Sequence, residues 1–354
     1  MSTTTDPTRV DHRAERRELR RSLGRFSQLK RLRACGRRVQ STDQGVAVKL
    51  TEAGAYFSGL QTCGSVWACP VCAPRVREAR AGEIEQGLGA HFDRGGSAYF
   101  VTATLPHDFG DRLAPLMTAV GQAWRALLSG RRWVDDRDRF GIVGTIRATE
   151  VTHGRNGWHP HLHVLVLTVG HLEDHELAEL TDRLAGRWAT GIEDAGYRVP
   201  SAAHGLTCSE VRSRDQVAAY TAKIDGGWGV AREVTRHDLK AGRRHGQTPF
   251  ALAADAVDGL AEAHRLWSEY ETATRGRHAI QWSRGLKARL GVGERTDEDI
   301  AGEDQAGEVV ALLDVVEWSY VVRWHLEGAL LDAAARPSYI GPWLSMLRGA
   351  VSLT

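Results

Sequence analysis

His161 and His163 stand two residues apart at the head of the run Val164-Leu165-Val166-Leu167. An unbroken run of valine and leucine reads as a buried strand, in which residues i and i+2 project from the same face. Both imidazoles therefore leave one side of the strand together, offering two nitrogen ligands to one metal ion. Two histidines rarely hold a metal alone. The preceding segment, Gly141 to Val151, reads as a second strand that turns through Gly154-Arg155-Asn156-Gly157 into the histidine strand. Such a hairpin brings Glu150 beside the pair, making it the expected third ligand. His159 shares the i, i+2 register and is the alternative, although Pro160 is placed to break the strand there. A mixed imidazole and carboxylate shell with open water positions suits Mg²⁺ or Mn²⁺. His153, His171 and His175 read as turn and surface residues.

Farther along, Ala219-Tyr220-Thr221-Ala222-Lys223 falls in a stretch, Arg214 to Lys223, that reads as a helix. Lys223 shares a helical face with Tyr220. Its ammonium can lower the phenol's pKa, favouring a nucleophilic phenolate, or bind a phosphate. Lysine otherwise occurs only at 30, 49, 240 and 287, so its place beside this tyrosine is informative. Tyr99, Tyr197 and Tyr270 lack such a partner.

The five cysteines include Cys69-Pro70-Val71-Cys72, the turn spacing of a zinc knuckle. Cys63 lies just upstream and Cys35 farther back, so Cys35, Cys63, Cys69 and Cys72 together make a candidate structural Zn²⁺ site. Four thiolates would leave no open position for catalysis. Cys208 reads as a core residue. Arg75, Arg77 and Arg80, opening the next helix, are candidates for contacts to DNA backbone.

These side chains need a scaffold, and 354 residues with 42% hydrophobic content suffice for a globular catalytic domain plus appendages. No apolar stretch is long enough to span a bilayer, and the start resembles no signal peptide, which predicts a cytoplasmic protein. The net charge of +2 hides an asymmetry: twelve basic residues fall between 9 and 38, and an acidic run spans 294–317. A basic arm attracts nucleic acid through phosphate neutralisation. The expected segments are a basic arm at 1–34, a cysteine module at 35–95, a core at 96–232, a helical region at 233–293, and an acidic linker with a last helix (308–335) at 294–354. Residues 276–284 mix basic and aromatic side chains, suiting either DNA stacking or a packed helix. Within the core the order β-α-β-β-α-β-α predicts an α+β fold, a central antiparallel sheet with helices on one face.

A histidine pair on a strand followed by Tyr-x-x-Lys on a helix resembles the HUH endonucleases, which nick single-stranded DNA and remain attached through a phosphotyrosine. Neither pattern is specific alone; their order and spacing are. Tyr99-Phe100-Val101-Thr102-Ala103-Thr104-Leu105, the histidine block, the tyrosine block and Cys63-Gly64-Ser65-Val66-Trp67-Ala68-Cys69-Pro70-Val71-Cys72 together resemble the single-tyrosine rolling-circle replication initiators, or Rep proteins, of Gram-positive plasmids. The resemblance covers about residues 35–225. It implies a ferredoxin-like nuclease core, Tyr220 as nucleophile, a 5′-phosphotyrosine with release of a 3′-hydroxyl, an acidic third ligand, and origin DNA, host helicase and host polymerase as partners. Members of this family can carry a glutamate four residues before the tyrosine. Here that position is Gln216, which cannot act as a base, so how a replication round would be terminated does not follow from the resemblance. Mobilisation relaxases tend to place the tyrosine before the histidines, and single-tyrosine transposases are usually much shorter and lack the cysteine module. A zinc-containing repressor would bind origin DNA without cutting it.

Overall fold

The computed structural model describes residues 12–52, 54–211, 247–304 and 306–353. Gln216, Tyr220 and Lys223 lie outside the described residues. In chain order come α1 (His12–Leu23), α2 (Lys30–Ala34), β1 (Val46–Thr51), β2 (Gly54–Ser58), α3 (Cys72–Phe92) and β3 (Ser97–Thr104). Next are α4 (Leu113–Leu127), α5 (Gly130–Arg139), β4 (Ile142–Gly154), β5 (Gly157–Thr168), α6 (Asp174–Asp194) and β6 (Leu206–Glu210). The remainder holds α7 (Pro249–Val257), α8 (Ala261–Thr274), β7 (Ile280–Trp282), α9 (Leu286–Leu290), α10 (Asp297–Gly302), β8 (Glu308–Leu313), α11 (Val315–Arg323), α12 (Glu327–Ala334) and α13 (Pro337–Val351). No helix among the described residues is long and apolar enough to cross a membrane.

These elements form two compact units, one from residues 1–65 with 296–354 and the other from 66–295. The first carries a three-stranded antiparallel sheet, order β2-β1-β8. Val46, Val48, Leu313, Trp318, Val321 and Leu330 are buried in its core. The basic arm is helical from His12, because Leu19 and Leu23 give α1 a buried apolar side. The single helix expected over 308–335 is instead β8, α11 and α12. Val309 and residues 311–313 of β8 pair with β1, and Asp314 then starts a new helix through a capping box with Glu317.

The second unit is built on a five-stranded antiparallel sheet, order β6-β3-β5-β4-β7. The β4–β5 hairpin is its longest ladder, paired from Ile142 opposite Thr168 to Gly154 opposite Gly157. Gly157 closes the turn at φ +87°, where a Cβ would also approach the Asp108 carbonyl to 3.2 Å. Pro160 does not break β5, contrary to the sequence expectation. Thr149 and His153 donate their N–H groups away from β5, to Ala279 and Gln247 carbonyls. By alternation, Val151 and its partner Pro160 form a non-hydrogen-bonded pair. The proline nitrogen thus faces the β3 side, where pairing has already stopped at Thr104 opposite His161.

Helices cover both faces of this sheet rather than one. Ile84 and Leu88 of α3 and Leu286 and Leu290 of α9 pack on Ala98, Ile146, Ala148, Leu165 and Leu167. The alternate strand positions meet α4 and α6, where the Leu172 N–H donates to the Tyr99 hydroxyl and Trp188 Nε1 donates to the Thr104 carbonyl. The reason is α3, which precedes the core in sequence and supplies a second apolar surface. Residues 276–284 contain strand β7, paired to β4 through Arg147 opposite Gln281, and no helix.

Candidate metal centre

The ligands are positioned by register. Glu150 pairs with His161 across the hairpin, and Ala148 pairs with His163, so Glu150, His161 and His163 share one face near the turn. The same face continues into the apolar cluster of Leu165, Leu167, Ile146 and Ala148. Burying each leucine or isoleucine contributes about 1.5–3 kcal/mol. A one-residue slip would forfeit that burial and turn the histidines to the other side. The core thereby holds the ligands in place.

Glu150 Oε2 lies 3.0 Å from His161 Nε2 and 2.9 Å from His163 Nε2, and the two nitrogens are 3.1 Å apart. Adjacent ligands of an ion with bonds of about 2.1 Å at right angles stand about 3.0 Å apart. The three atoms therefore suit neighbouring corners of one coordination shell, and this Glu/His/His group could hold a metal ion. Their side chains keep 12–15% of their surface accessible, which leaves room for water or a phosphate oxygen on the open side. Burial alone would raise the pKa of the Glu150 carboxyl. Hydrogen bonds from His161 and His163, and their charge, outweigh it and hold the group far below the ordinary carboxylate range. Glu150 is thus an anion, as ligation requires.

Two neighbours on β3 position His163. Phe100 stacks on its ring at 5.4 Å and 16°, and Thr102 Oγ1 lies 3.4 Å from His163 Nδ1. Such contacts orient an imidazole and leave Nε2 turned towards Glu150 and His161. The sequence block by itself assigns these two residues no role. The signal was available in their i, i+2 spacing on the strand beside β5. His159 lies outside the cluster. Its Nδ1 is 2.8 Å from His107 Nε2, while burial, with His161 and His107 beside it, pushes its imidazole down to about 4.

The four candidate zinc ligands are all buried, and none forms a disulfide. In the first unit the sulfurs of Cys35 and Cys63 lie within 4.8 Å of each other, and in the second so do those of Cys69 and Cys72. Backbone N–H groups point at two of them, Ser65 to Cys63 at 3.5 Å and Cys72 to Cys69 at 3.4 Å. Donors of this kind favour thiolates. Cys208 differs, since burial pushes its thiol up to about 12.

Arg77 is buried, donates to the Val66 carbonyl at 2.7 Å and lies over the Phe250 ring. It is therefore committed to the fold rather than to a ligand, which corrects the expectation of a DNA-contacting row. Arg80 bonds to Glu83 and to the Arg295 carbonyl. Arg75, also on α3, is partly exposed.

The chain is 35% identical to Protein rep of Streptomyces lividans over 352 residues, covering 80% of this chain and 77% of that protein. The chain belongs to the Rep protein family. A neomycin resistance protein of Streptomyces cyanogenus is also similar, at 31% identity over 66% of this chain and 70% of its own length. No family model matches the chain, and no solved structure matches it significantly. The Rep relationship thus rests on similarity over 80% of the chain and is independent of the metal-site geometry.

Proposed function

We propose that this protein initiates rolling-circle replication of a plasmid in the cytoplasm, by nicking and rejoining origin DNA at a single-stranded or hairpin site. The observation that carries the reading is the convergence of Glu150, His161 and His163 on one point, in a chain of the Rep family. A divalent Mg²⁺ or Mn²⁺ ion bound by these residues would polarise the scissile phosphate and offset charge on the leaving oxygen. Tyr220 is the nucleophile. Its oxygen forms a bond to phosphorus as the bond to the 3′ oxygen breaks, and the phenolic proton ends on that oxygen. The products are a 5′-phosphotyrosine and a 3′-hydroxyl, from which a host polymerase extends as a host helicase unwinds the duplex. Lys223 stabilises the phenolate or the phosphate. Cys35, Cys63, Cys69 and Cys72 bind one structural Zn²⁺, since four thiolates complete a closed shell.

Mass spectrometry of protein incubated with single-stranded origin DNA and Mn²⁺ should find a nucleotide adduct on Tyr220. Tyr220→Phe, which removes one oxygen, should form none. An adduct at the normal rate in that variant would refute the assignment. Elemental analysis should find about one zinc per chain, whose removal destabilises the protein; the absence of zinc would leave these thiols as packing residues.

A further inference from the structure

The face of the five-stranded sheet turned away from the metal centre gathers positive charge. Arg147 on β4 sits opposite Val164, one strand position out of phase with Ala148 and Glu150, so it projects from the other side. It pairs with Gln281 of β7, to whose side-chain oxygen its guanidinium donates. Arg277, just before β7, donates to the Ala273 carbonyl at 2.8 Å and to Thr118 Oγ1 of α4 at 3.0 Å. Arg125 lies two turns beyond Thr118 on α4, hence on the same side of that helix, and is exposed. Burial, then the charge of Arg125, pushes Arg147 down to about 10 and lowers Arg277 in the same order of causes. Among the described residues, no carboxylate pairs with any of the three. Like charges brought this close, with only neutral partners, lower the cost of binding an anion.

We propose that Arg125, Arg147 and Arg277 form a binding site for the sugar–phosphate backbone of duplex DNA, on the sheet face opposite the metal centre. The proposal rests on the reading that this protein works on DNA. Guanidinium forks match phosphate oxygens in geometry, and the exposed Thr118 and Gln281 supply neutral partners of the kind that fix backbone register. Cationic groups on three separate elements suit a row of phosphates better than one small anion. The opposite face remains available to the strand being cut.

The test is fluorescence anisotropy of full-length protein with a labelled duplex of mixed sequence, titrated at several salt concentrations. In Arg125→Gln/Arg277→Gln the slope of log affinity against log salt should fall by about 0.9 for each lost contact, with weaker binding at low salt. Exposed Arg132→Gln should leave the slope unchanged, and Mn²⁺ affinity should not move in either variant. An unchanged slope in a double variant with native circular dichroism would overturn the proposal, as would an equal loss in Arg132→Gln. Tighter, Arg125-dependent binding of duplex RNA would overturn the choice of DNA. If the double variant fails to fold, Arg125→Gln alone, at an exposed position, should still lose about 0.9. The readout needs no cleavage, so a protein that fails to nick yet shows these slopes retains the site and loses only the nuclease reading.

Discussion

The two faces of the five-stranded sheet carry opposite chemistry although their residues interleave along the same strands. On one, Glu150, His161 and His163 bring an anion and two nitrogen donors within about 3 Å of one another. On the other, Arg147 joins Arg125 and Arg277 without a carboxylate among the described residues. Arg147 and Glu150 are only three residues apart on β4, yet they face opposite sides. A strand's period of two separates residues that could hold a cation from residues proposed to hold an anion, and the apolar core beneath holds that separation in register.

The largest expected effect breaks one face and spares the other. His161→Ala or His163→Ala should abolish measurable Mn²⁺ binding and lower nicking by on the order of a thousandfold, with the salt dependence of duplex binding unchanged. Mn²⁺ titration followed by electron paramagnetic resonance and the anisotropy assay check the two halves separately. A variant that lost both would mean that the faces act as one site.

A subtler change asks how well the metal face is preorganised. Thr102→Val keeps shape and removes the oxygen near His163 Nδ1. Mn²⁺ affinity should drop about tenfold, the lower end for loss of a partner that orients a ligand. An unchanged titration would leave ring stacking by Phe100 as the orienting contact.

The smallest effect lies on the arginine face, where Cys208 pairs with Val101 and packs near Thr181 of α6. With its thiol pushed up to about 12 by burial, only about one part in ten thousand is thiolate at pH 8. Iodoacetamide should therefore leave Cys208 unmodified in folded protein at pH 8, as read by mass spectrometry. Its rate should rise roughly tenfold for each unit of pH toward that value. Rapid labelling at pH 8 would show that this edge of the sheet opens readily.

The hairpin was legible because its information is local: alternation in two adjacent segments, a Gly-Arg-Asn-Gly turn, and ligands whose faces follow by counting. Glu150 could be named as a candidate ligand for that reason. The arginine cluster could not, since residues 125, 147 and 277 meet only through tertiary packing. Strands β7 and β8 were missed because each is short and owes its conformation to a distant partner, β4 and β1 respectively. Helix α5 escaped because it is mostly charged. It is held by Asp136, fully buried between Arg183 and Arg187 of α6. Arg77 misled for the complementary reason, as an arginine with a packing role.

The three-stranded sheet places β1, near the start of the chain, between β2 and β8, with Val46 opposite Leu313. On a ribosome the central strand of that sheet therefore emerges long before one of its two neighbours exists. Residues 66–295 can collapse as soon as they leave the exit tunnel, whereas the first unit must wait until translation has passed Leu313. A message cut short after residue 295 would yield a polypeptide that still carries Glu150, His161 and His163 but exposes the unpaired edge and apolar side of β1, making it a target for chaperones and proteases.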